Sequence, residues 1–146
     1  AAGALLAEDE AAAAALSSIG ESLGLAFQIR DDELNLFGDP GLTGKRPGGD
    51  VREGKKTLLR ARLLAAAPAS ELPRLRSILG DASASDADID YVRGLALSLG
   101  VRDDLARRAS ELAALARAAI TALPCPDPAA RGALEGLVGY VTLRDK

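Results

Sequence analysis

Asp31 and Asp32 stand side by side in an apolar stretch, Phe27-Gln28-Ile29-Arg30-Asp31-Asp32-Glu33-Leu34-Asn35-Leu36-Phe37, and a loop rich in glycine and basic residues follows at once. On an α-helix Gln28, Asp31, Asp32 and Asn35 fall at i, i+3, i+4 and i+7 and so line one face. The two carboxylates are then about 100° apart around the helix axis and flank a place for one ion. Left alone, two such charges at ~4 Å and an effective dielectric of ~20 repel by about 4 kcal/mol, which a dication relieves. Mg²⁺ suits the pair, because it takes few carboxylates, keeps several waters and completes its shell with phosphate oxygens; Gln28 and Asn35 would orient the waters. The alternative is an acidic helix end without a ligand, although carboxylates at a helix C-terminus oppose the macrodipole.

The loop brings the opposite charge. Gly44-Lys45 and Gly54-Lys55 place two ammonium groups beside backbone free to approach an anion, and Gly48-Gly49 offers unhindered N–H donors. Lysine binds phosphate as a point charge. Together with the acidic pair, this is the layout of a site for a metal-bound diphosphate. Gly38 to Lys45 is not a P-loop, since Arg46 stands where Ser or Thr is required and the segment follows a helix rather than a strand. Arg46, Arg52, Lys56 and Arg60 read as a solvated basic face.

Apolar residues recur at helical spacing from Leu5 to Phe37, which predicts one long helix over residues 3–37. Gly20 and Gly24 weaken it locally and point to close helix packing. Gly38, Pro40, Gly41, Gly44, Pro47, Gly48 and Gly49 then predict a loop, and helix resumes near Lys55 or Lys56 until Pro68. A short helix is expected over residues 70–79, ending at Gly80. Ser85 with Asp88 is a capping-box pattern for a helix that Gly100 closes. Another is expected from about Asp103 to Leu123, and Asp127 with Pro128 opens a last one to about Leu143. No repeat or linker divides the chain, so residues 1–146 read as a single partial domain of all-α class.

Composition agrees. The 146 residues are 48% hydrophobic and 27% charged but only 3% aromatic, so the core must be built from Ala, Leu and Val. Ala-rich runs favour helix by propensity. With no His, neither a nucleophilic triad nor a His-containing zinc site can be assembled from these residues, and the single Cys125 forms no internal disulfide. Cys125, between Pro124 and Pro126, reads as a passive turn residue, and one cysteine fits a reducing cytoplasm. A net charge of -3 gives no reason to expect nucleic acid. The apolar runs fall short of the ~20 residues of a membrane span, and no signal-like leader is expected. Because the chain starts at Ala1 and has no Met, it reads as a fragment, with removal of an initiator Met as the alternative.

The segment resembles the second aspartate-rich motif of the trans-isoprenyl diphosphate synthases, in particular those of farnesyl and geranylgeranyl type. That pattern runs Phe-Gln-x-x-Asp-Asp-x-x-Asp, Gly-Asp, Gly-Lys, Gly-x-Asp, and a second Gly-Lys followed by Thr. Phe27-Gln28, Asp31-Asp32, Gly38-Asp39, Gly44-Lys45, Gly49-Asp50 and Gly54-Lys55 with Thr57 supply it here in order. More faintly, Gly3 to Ala7 resembles the preceding helix, and Leu137 to Lys146 a family C-terminus. The motif's last aspartate is Asn35 in this chain, which leaves the motif one carboxylate short.

The resemblance implies the C-terminal part of an isoprenoid-synthase-type helical bundle. Asp31 would ligate Mg²⁺ directly, Asp32 through water, and Asn35 also through water. Lys45 and Lys55 would contact the allylic diphosphate, with Gln28 lining the pocket, and Asp31 and Lys45 would carry the catalysis. The implied reaction joins an allylic diphosphate to isopentenyl diphosphate in what is commonly a homodimer. The first aspartate-rich motif is not among these residues, so the chain by itself is expected to be inactive. A non-catalytic or regulatory synthase subunit and an Ala/Leu-rich helical interaction module are the competing readings.

Overall fold

The computed structural model describes residues 2–44, 46–125 and 127–142, and for Leu42 and Thr43 the backbone only. Among these residues the secondary structure is entirely helical, as expected for an all-α protein. The helices are α1 (Ala2–Leu6), α2 (Glu10–Phe37), α3 (Pro40–Thr43), α4 (Gly49–Glu53), α5 (Leu58–Ala66), α6 (Leu72–Ile78), α7 (Asp86–Ser98), α8 (Val101–Ala122) and α9 (Pro128–Thr142).

The single helix expected over residues 3–37 is broken. Glu8 adopts a positive φ of 57°, and Asp9 restarts the chain by accepting the Ala12 N–H at 2.9 Å, an N-cap bond. Leu5 and Leu6 in α1 are 60% and 88% exposed rather than core. The basic loop contains two short helices, α3 and α4, of four and five residues, and the helix expected from Lys55 or Lys56 starts at Leu58. There Thr57 caps it by accepting the Arg60 N–H at 3.1 Å. The Ser85–Asp88 capping box and the Asp127 cap both form, the latter through the Ala129 N–H at 2.9 Å.

The chain divides into two compact units. One takes the described residues up to Gln28 together with those from Arg108 on, and its core is Ile19, Leu23, Ala26, Leu112, Ala116, Ile120 and Val138. Here Arg131 ties the start of α9 to the end of α8, donating to the carbonyls of Ile120 at 2.9 Å and Leu123 at 2.8 Å. The other unit spans Ile29 to Arg107 and carries the acidic end of α2, the basic loop and α5 to α7. Leu36, Val51, Leu59, Leu63, Leu75, Ile89 and Val92 are its core. By length and composition alone α2 is also long and apolar enough to cross a bilayer, a test that the core helix of a soluble protein passes as well.

Candidate functional site

Asp31 is half-buried and Asp32 buried, both in the last turns of α2, while Gln28, one turn earlier on the same helix, is exposed. The helix end is fixed by cations placed where its carbonyls accumulate negative charge. Arg93 of α7 donates its Nε–H to the Leu36 carbonyl at 3.0 Å. Buried Glu33, next to the pair, is neutralised on both carboxylate oxygens, by Arg30 at 2.5 Å and Arg102 at 3.0 Å, and Arg102 lies 4.9 Å over the Phe37 ring. A buried carboxylate without such partners would cost several kcal/mol, on the order of the 3–5 kcal/mol seen when one partner is removed.

Asn35 connects this helix end to the basic loop. Its backbone carbonyl accepts the Gly48 N–H at 2.8 Å, and its side-chain Oδ1 accepts the Asp50 N–H at 3.0 Å. The side chain therefore orients α4, a structural task that its place in the aspartate motif does not announce. Asp50 in turn forms a close ion pair with the ammonium of Lys55, and Glu53 lies 3.4 Å from the same nitrogen. The hydrogen bond and the charge of Asp50, with a lesser contribution from Glu53, hold Lys55 above the ordinary lysine pKa. Asp32, Asn35, Asp50, Lys55, Thr57 and Arg60 line one small cavity of about 20 Å³. Lys45 lies outside the described residues.

The glycines of the loop act on the backbone rather than as a ring of donors. The amides of Gly44 and Gly48 donate within the chain, to the carbonyls of Pro40 at 2.9 Å and Asn35 at 2.8 Å. Gly48 has a φ of 77°, and a Cβ there would come within 2.6 Å of the Ile89 side chain. Gly54 has a φ of 68°, and its Cβ would sit 2.9 Å from the Cα of Gly80, backbone against backbone. The Gly80 N–H donates to the Val51 carbonyl at 2.8 Å across the same contact. Asp39 caps α3 by accepting the Gly41 N–H at 2.8 Å.

Arg52, expected on a solvated face, is buried, at 9% exposure. Its guanidinium donates to the carbonyls of Ala84 at 3.0 Å and Pro47 at 2.7 Å and to Asp86 at 3.0 Å, so one side chain fastens the loop to the start of α7. Exposed Arg46 shares Asp86 through Nε at 3.0 Å and Nη2 at 2.9 Å. Arg60 donates to the Gly54 carbonyl at 2.6 Å. A larger groove of about 690 Å³ runs between Phe37, Arg46, Asp86 and Arg93 and does not include the acidic pair. Arg52, Asp50 and Asp86 were missed as site residues, and the nearest sequence signal was Asp50's place in the Gly-x-Asp motif.

The matches to known proteins cover the same residues. The polyprenyl synthetase model matches residues 1–95, which take in the acidic helix end and the whole basic loop. Over 131 residues, 90% of this chain, the sequence is 34% identical to geranylfarnesyl diphosphate synthase of Aeropyrum pernix and covers 40% of that protein. It is 53% identical over 57 residues, 38% of this chain, to geranylgeranyl diphosphate synthase of Mycobacterium tuberculosis, covering 16% of that protein. The geranylgeranyl pyrophosphate synthetase of Pyrococcus horikoshii has the same fold with a TM-score of 0.80 at 35% identity, over 89% of this chain and 38% of that one. Geranylgeranyl pyrophosphate synthase of Corynebacterium glutamicum, solved in complex with isoprenyl diphosphate and magnesium, gives a TM-score of 0.80 at 34% identity, over 89% and 37% of the two chains. The chain thus spans no more than 40% of the length of these relatives. With its motifs, its all-helical fold and these matches in agreement, the chain belongs to the polyprenyl synthetase family.

Proposed function

We propose that this chain is the diphosphate-binding C-terminal part of a longer prenyl-transferring synthase, which joins an allylic diphosphate to isopentenyl diphosphate. The observation that carries this reading is the common cavity of Asp32, Asn35, Asp50 and Lys55, which sets a carboxylate of the acidic helix end beside an ammonium of the basic loop. The relatives support the substrate class, since those matched over most of this chain are named as synthases of prenyl diphosphates. The magnesium and isoprenyl diphosphate in the Corynebacterium glutamicum structure support the chemistry at the site. A cytoplasmic homodimer is part of the same reading.

The donors present fit Mg²⁺ in part. Asp31 and Asp32 offer hard carboxylate oxygens on consecutive residues, yet the described residues contain no cluster of three or more His, Cys, Asp or Glu side chains able to hold a metal. Diphosphate oxygens and water would complete the shell, as this ion prefers. Asp31 would hold it directly, with Asp32 and Asn35 acting through water. Bound there, Mg²⁺ would neutralise charge building on the diphosphate.

The chain's own cations do the rest of this work. As the allylic C–O bond breaks, its electron pair leaves with the pyrophosphate, and on this reading Lys45 and Lys55 would stabilise that charge. On the same reading Gln28 would line the diphosphate pocket. The isopentenyl double bond then supplies the electrons of the new C–C bond, and a proton is lost from the added unit. In the full-length protein an apolar helical cavity would have to keep water from the cation.

In the full-length protein with Mg²⁺, Asp31→Ala and Lys45→Ala should each lower turnover by about 10²-fold or more, as expected when a group that stabilises developing charge is removed. Product formation from a labelled allylic diphosphate measures it. A folded Asp31→Ala enzyme with full activity would contradict the role given to that residue.

A further inference from the structure

We propose that Asp50 is a positioning residue for Lys55, and that Asn35 sets the place of Asp50, so that the ammonium group is held in register with the acidic end of α2. The inference rests on the prenyl-transfer reading and deepens it. Asn35 belongs to α2, four residues after Asp31 and three after Asp32. Its Oδ1 takes the Asp50 N–H at 3.0 Å and its carbonyl takes the Gly48 N–H at 2.8 Å, so α4 is hung from the acidic helix by two bonds to one residue. The Asp50 side chain is only 13% exposed and its carboxylate pairs with Lys55. The backbone closes the same ring, since the Lys55 N–H donates to the Asp50 carbonyl at 3.0 Å.

A lysine side chain left in solvent samples many rotamers, and that freedom is lost when it binds an anion. Holding the ammonium in advance removes part of this cost from diphosphate binding. Asp50 leaves the group its charge, because the ion pair favours the protonated form. An ammonium has three donors, so pairs with Asp50 and Glu53 leave one to turn toward a phosphate oxygen. Asn35 thereby acts on the substrate through the loop, and its amide performs this role without a carboxylate's charge beside Asp50.

Steady-state kinetics on the full-length protein, with an allylic diphosphate, isopentenyl diphosphate and Mg²⁺, test this, with folding checked by circular dichroism. Asp50→Asn and Asn35→Ala should each raise KM for the allylic diphosphate about tenfold with a smaller loss in kcat, the sign of lost binding to a charged group. In a Lys55→Met background Asp50→Asn should add little, because the group it positions is gone. Asn35→Asp, whose carboxylate accepts the same N–H, should recover most of the KM lost in Asn35→Ala. Equal cost of Asp50→Asn with and without Lys55 overturns the inference. So does an Asn35→Ala enzyme that needs more Mg²⁺ while keeping its KM. A folded wild-type protein unable to join the two substrates overturns the prenyl-transfer reading first, and this inference with it.

Discussion

Gly54 closes α4 in the left-handed region, at a φ of 68°, with the Cα of Gly80 where its own side chain would be. Neither atom can swing aside, because both belong to backbone joined by the Gly80 to Val51 hydrogen bond. Gly54→Ala should therefore destabilise the protein by about 1–3 kcal/mol, from φ strain and overpacking together, as a lower midpoint in chemical denaturation. The Gly-Lys dipeptide is visible in the sequence, but its apparent use, bringing backbone to an anion, is not what the neighbours impose. Gly80 stands far along the chain, and no local pattern pairs the two. Arg52 is hidden for the same reason: amid Asp50, Val51, Glu53 and Gly54 it looks like one more surface charge, and only Ala84 and Asp86 make it a buried tie. Gln28, Asp31, Asp32, Asn35 and Lys55 can be named as candidates from the sequence because a helical period and a short motif pick them out locally.

Helix α7 begins with a reciprocal cap. The Ser85 hydroxyl donates to Asp88 at 2.6 Å, the Ser85 N–H donates to the same carboxylate at 3.0 Å, and the Asp88 N–H returns to the hydroxyl at 3.2 Å. Ser85→Ala should cost about 1 kcal/mol, the usual worth of an N-cap, in thermal or denaturant unfolding. These bonds, the Ser85 hydroxyl's first, hold the Asp88 carboxyl below the ordinary aspartate pKa. Such a group stabilises the fold above its unfolded pKa, and the contribution disappears as pH falls through the lower folded value. The Ser85→Ala protein should accordingly lose less of its stability between neutral and strongly acidic pH than the parent. Caps can be read from a few residues, which is why the starts of α7 and α9 were anticipated. Helices α3 and α4, of four and five residues, are too short to show a period. The break at Glu8 interrupts an apolar pattern that continues on both sides of it.

Family membership was readable from an ordered set of motifs over about thirty residues, a far stronger signal than any one acidic pair. The relatives are much longer than this chain, which covers 40% of the Aeropyrum pernix enzyme. The first aspartate-rich motif expected of a complete synthase is not among the 146 residues, so the chain assayed alone should give no prenyl transfer where the full-length protein does. Product measured from the isolated chain would mean that its own carboxylates suffice. Arg52 adds an order of events in time. Its partners Ala84 and Asp86 lie 32 and 34 residues further on. While the polypeptide is being synthesised, the lysine-bearing loop therefore emerges with its Asn35 partner already made but before the residues that fasten it to α7. It remains an unfinished surface until the ribosome has released the start of α7, so a chain truncated ahead of Asp86 would keep every residue of the motif and still lack its fastening.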